Sequence, residues 1–127
     1  MMNDDLRSVM KKKLRRSIDY SRLMLAARTP LSLYDEHEIS EMTITKLKLE
    51  LELNSILIEE ANNNGEKKRL DEERGELLGS LALELADGLE ILNTIASNLR
   101  LEGREEIARK FEILRDIRES ELNELKG

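Results

Sequence analysis

Leu78, Leu81, Leu85, Gly88, Leu92, Ile95 and Leu99 follow one another in alternating steps of three and four residues. An α-helix brings such positions to one side, so the row draws a continuous apolar seam over three heptads. A strand, with its period of two, would scatter the same residues over both faces. The rest of the chain agrees with a helix. Leu and Glu, both good helix formers, make up 44 of the 127 residues, whereas Val occurs once and Trp not at all. A β-sandwich, barrel or parallel sheet is therefore excluded. The lack of Cys excludes a disulfide framework, a thiolate metal site and a cysteine nucleophile. The longest uncharged run, residues 91–99, is far short of the roughly 20 residues a membrane span requires.

Apolar spacing and punctuation predict four helices in residues 1–127, read as a single domain. The first covers 3–27, where Leu6, Met10, Leu14 and Ile18 recur every fourth residue and Asn3, Asp4 and Asp5 favour a helix start. Thr29-Pro30 ends it. Residues 28–40 form a connector whose Leu31, Leu33 and Tyr34 are expected against the core. Asp35 with Glu38, or Ser40, is the expected start of the second helix, 37–62. Its Lys46-Leu-Lys-Leu-Glu-Leu-Glu-Leu53 stretch alternates like a strand, but its residue types and flanks are helical. The third helix, 66–100, is read as continuous through Gly75 and Gly79, and the fourth runs from about 103 to 125 with an expected Glu105–Arg109 pair. Short connectors imply antiparallel neighbours. The fold class is all-α, an antiparallel bundle of about four helices.

The second helix is apolar on two sides. Ile44, Leu47, Leu51 and Ile58 share one face; Leu49, Leu53, Ile56 and Leu57 lie nearly opposite. In so short a chain the second cover is expected from another subunit. On the third helix Gly75, Gly79, Ala82 and Ala86 form a row of small residues that would let a helix backbone approach closely. These eight positions are the expected interface of a homo-oligomer formed through helices 2 and 3.

The net charge of −6 hides a strong asymmetry. Residues 1–28 carry a net +5, the remainder −11. A basic patch of Arg7, Lys11, Lys12, Lys13, Arg15 and Arg16 thus precedes an acidic helical body at 37–125. Such a helix can lie beside acidic neighbours, bind a protein partner, or bind phosphates or anionic lipid. The acidic body and the scarcity of aromatic side chains near the patch disfavour nucleic acid.

Chemistry has little to work with. Only His37 could act as an imidazole base, and it is read as a solvated residue at the start of helix 2. Glu73-Arg-Gly-Glu76 and Glu84-Leu-Ala-Asp87 place paired carboxylates on helical faces. Here the chain resembles the all-α nucleotide pyrophosphohydrolases of the MazG type, and residues 110–115 are loosely similar to that family's downstream basic segment. The resemblance implies that Glu73, Glu76, Glu84 and Asp87 hold Mg²⁺ against a triphosphate. In that family the two motifs stand on separate antiparallel helices. On one continuous helix Glu73 and Glu84 lie roughly 16 Å apart, so a break near Gly79 or a symmetry mate is required. The preferred reading is a cytoplasmic, non-enzymatic helical interaction protein without catalytic residues, metal or cofactor. It is expected to act as a regulator, adaptor or assembly factor through self-association and a protein partner. The Mg²⁺-dependent enzyme and a nucleic-acid-associated protein are the alternatives.

Overall fold

The computed structural model describes residues 4–127, in which four helices pack against one another: α1 (Asp4–Ala26), α2 (Leu33–Glu60), α3 (Asn64–Leu101) and α4 (Glu105–Lys126). Asn3, the proposed cap of the first helix, lies outside the described residues. Among the described residues there is no strand, and no helix is long and apolar enough to cross a membrane. The alternating 46–53 stretch lies within α2.

Local chemistry sets the boundaries. The second helix begins four residues earlier than its expected start, because Ser32 supplies the cap. Its hydroxyl accepts from the Asp35 backbone N–H at 3.2 Å, while the Asp35 carboxylate accepts from the Leu31 N–H at 3.0 Å. Asp35 therefore braces the turn from inside the helix. Asn63 caps α3 by accepting from the Glu66 N–H at 2.8 Å. The far end of α3 closes on Gly103, whose φ of +79° side-chain-bearing residues rarely adopt. Gly103 N–H donates to the Arg100 carbonyl and Arg104 N–H to that of Leu99, the paired bonds of a Schellman turn.

The heptad row on α3 is the spine of the core. Leu81, Leu85, Gly88, Leu92, Ile95 and Leu99 are all buried, and Leu85 is fully so. Ile44 and Leu47 of α2 and Leu122 of α4 close on Leu81 and Leu85. Nearer the α3–α4 turn, Ile95 and Leu99 pack with Ala108, flanked by Leu33, Ile107 and Phe111. Gly88 is where α2 crosses closest: a Cβ there would stand 3.0 Å from the Ser40 Oγ. Pairings Arg100–Glu112 and Arg115–Asn93 run α3 and α4 antiparallel, and Gly88 beside Ser40 with Leu70 bonded to Asn54 does the same for α2 and α3.

Several expectations require correction. α1 packs on α2, and its Leu14 and Ile18 are buried, so the second apolar face of α2 is covered within the same chain. Arg7–Glu59, Lys11–Glu60 and Arg22–Glu50 pairs tie that seam. Leu31 points into solvent, whereas Tyr34 stands 6.0 Å, centroid to centroid, from Phe111. His37 is not simply solvated: its ring meets the Phe111 ring edge-on at 5.7 Å. No ion pair joins Glu105 to Arg109 among the described residues; Arg100 and Glu112 make the cross-helix pair instead.

Candidate interaction surfaces

α1 presents two unlike sides. Arg7 and Lys11 of the basic patch turn toward α2 and meet Glu59 and Glu60. Lys12, Lys13, Arg15 and Arg16 are exposed, and among the described residues none of them has an ion-pair partner. Beside them Val9, Tyr20 and Leu23 are also exposed, Leu23 at 71%. The outer side of α1 therefore mixes unneutralised positive charge with apolar surface. Periodicity alone missed Leu23, since it falls outside the stripe that begins at Leu6.

The outer side of α3 is the electrostatic counterpart. Glu72, Glu76, Gly79, Leu83, Ala86 and Glu90 recur at steps of three and four, and all six are exposed. Leu83 is the row's one large apolar residue, at 70% exposure. Among the described residues no ion pair engages Glu72, Glu73, Glu76, Glu84, Asp87 or Glu90. Of the small-residue row, Ala82 leans on the core while Gly75, Gly79 and Ala86 face outward. A Cβ added at Gly75 or Gly79 would meet nothing within 4 Å. Close packing at these two glycines is therefore not used within the chain. Gly75→Ala and Gly79→Ala are each expected to raise the unfolding free energy by about 0.5–1 kcal/mol, read by urea titration followed by circular dichroism.

The other predicted interface residues lie on the covered side of α2. Ile56 is buried, and Leu49, Leu53 and Leu57 are half-buried. Leu53 and Leu57 share a cleft with Arg15 and Ile18 of α1, and Leu49 shares another with Ser17 and Tyr20. Leu49, Leu53 and Leu57 thus border the α1–α2 seam.

The paired acidic motifs fall on one uninterrupted helix, because α3 runs through Gly75 and Gly79 without a break. Glu73 and Glu76 are separated along its axis from Glu84 and Asp87, and the two motifs do not face each other within the chain. No group of three or more His, Cys, Asp or Glu side chains among the described residues is arranged to hold a metal ion.

Elsewhere the charges lock helices together. Arg118 of α4 reaches Glu41 of α2 and Glu121 of its own helix, and Lys48 of α2 also meets Glu121. Burial would raise the Glu121 carboxyl, but hydrogen bonds from Lys48 and Arg118 hold it below the usual glutamate value. The hydrogen bond from Arg100 likewise lowers Glu112, in an exposed setting.

Compared with protein-family models, curated proteins and solved structures, the chain has no match.

Proposed function

We propose that this chain is a small non-enzymatic interaction protein that works by self-association and by binding a protein partner, as a regulator, adaptor or assembly factor. One observation carries the reading: the two outer faces are complementary. The outer side of α1 offers Lys12, Lys13 and Arg16 around Val9, Tyr20 and Leu23, while that of α3 offers Glu72, Glu76 and Glu90 around Leu83. Both sets of charges lack partners within the described residues. Docking α1 of one copy on α3 of another would neutralise both and cover exposed leucines, with Gly75 and Gly79 allowing close approach. Charge of this kind mainly accelerates and orients docking, and the apolar centre contributes the larger share of affinity.

Sedimentation velocity over a micromolar concentration series is the test. Wild type is expected to form a dimer or larger species that weakens as salt is raised. Leu83→Glu, and separately Lys13→Glu with Arg16→Glu, are each expected to weaken association by roughly tenfold or more, about 1.4 kcal/mol, with the helical signal unchanged. A strictly monomeric wild type at these concentrations would remove the basis for self-association.

A further inference from the structure

A cleft of about 540 Å³ runs between α1 and α2, where α1 carries Arg16, Ser17, Tyr20 and Ser21 and α2 carries Thr45 and Leu49. Past Tyr20, Ser21 and Thr45 it continues to Met42 and Glu41. Although 27 of the 127 residues are Asp or Glu, none of them borders the wider part. Glu41, at the narrow end, is already bonded to Arg118. Among the described residues neither Arg16 nor Lys13 has an ion-pair partner. The Ser17 and Ser21 hydroxyls likewise have no hydrogen-bond partner there, whereas that of Thr45 donates to the Glu41 carbonyl at 3.0 Å. Lys13, Ser17 and Ser21 follow at four-residue steps and share one row of α1; Arg16 and Tyr20 form the adjacent row.

The lining narrows the class of ligand. A guanidinium and two hydroxyls are free to donate, no carboxylate repels an anion, and Tyr20 and Leu49 supply apolar surface. A cation finds no counter-charge in the wider part, and a neutral molecule gains nothing from the unpaired guanidinium. We propose that the cleft binds a small organic phosphate monoester. Arg16, Ser17 and Ser21 donate to the phosphate oxygens, and Lys13 adds a second positive charge one turn away. The ester group lies along the Tyr20 ring and Leu49. A phosphate monoester has three terminal oxygens for these three donors, whereas a carboxylate has two. The cleft lies within one chain, so the proposal does not depend on self-association.

The experiment titrates the full chain with n-butyl phosphate at constant ionic strength and, in parallel, with n-butanol, pentanoate and inorganic phosphate. NMR follows the Arg16 Nε–H and the Leu49 and Met42 methyl groups. The expected result is saturable shifts confined to the cleft, with each of the three comparison compounds weaker by roughly tenfold or more. Arg16→Gln, at an exposed position, is expected to weaken butyl phosphate by a similar factor with the helical signal unchanged. Lys68→Gln removes the same unit of charge from an exposed site on α3 and is expected to leave binding as it was. Three results overturn the proposal: a comparison compound that binds as tightly as butyl phosphate, non-saturating shifts spread over the surface, or equal losses in Arg16→Gln and Lys68→Gln.

Discussion

Leu85→Ala is expected to lower the unfolding free energy by about 3–4 kcal/mol. Leu85 has no exposed surface and sits where α2, α3 and α4 meet, against Ile44, Leu47, Leu81 and Leu122. Truncation removes the transfer free energy of its branched end and leaves a void. Two helices besides its own border that void, and helices do not collapse into a gap as a loop would. For a chain of this length the loss corresponds to a fall in Tm of roughly 10–15 °C. The measurement is thermal unfolding by circular dichroism at one fixed protein concentration, since association would make Tm concentration-dependent. Leu101→Ala is the matched control: on the same helix but 87% exposed, it is expected to change stability by less than about 0.5 kcal/mol. Equal effects at the two positions would contradict the placement of the α3 seam.

Arg118→Met is expected to be the next most damaging change, at about 1–2 kcal/mol. Methionine keeps much of the apolar stem but loses the guanidinium that joins Glu41 of α2 to Glu121 of α4. The two carboxylates then face each other with Lys48 on only one of them. The same cluster sets a pH dependence. Glu121 is held below its ordinary value when folded. Its contribution is therefore complete above the unfolded glutamate pKa of about 4.3 and is lost as pH falls through the lower folded value. Wild-type stability, measured by urea unfolding at a series of pH values, is expected to decline in that acid window. The decline is expected to be shallower in Arg118→Met, where one of the two donors to Glu121 is gone.

The helices themselves were legible because their signals are local. The Leu78–Leu99 row, the turn at Asn62-Asn63-Asn64-Gly65 and the glycine after α3 each act within a few residues. The start of α2 was less legible: Ser32, Asp35 and Ser40 are all competent caps, and only the path of the chain after Pro30 selects Ser32. The candidate surfaces were half visible. Spacing identified the small-residue row on α3, but it could not separate Ala82, which touches the core, from Gly75 and Gly79, which do not. Residue types marked the basic patch, but which of its charges are neutralised depends on how α1 rotates over α2. The cleft that Arg15, Ile18, Leu53 and Leu57 line had no sequence signal, since its walls come from more than one helix.

What the sequence determined by itself is the helical class, the α3 seam and the separation of a basic first helix from an acidic body. Each follows from side-chain type and a period of 3.6 residues. Only the tertiary structure decided what covers the second face of α2. An apolar face must be buried, but its pattern does not say by which helix or from which chain. Packing places α1 there, with Leu14 and Ile18 against the seam and Arg7, Lys11 and Arg22 meeting α2 carboxylates. That same choice leaves Lys12, Lys13, Arg15 and Arg16 unpaired on the outer side of α1, and the acidic face of α3 uncovered. Burial is a property of neighbours in space, and the chain specifies those neighbours only once it is folded.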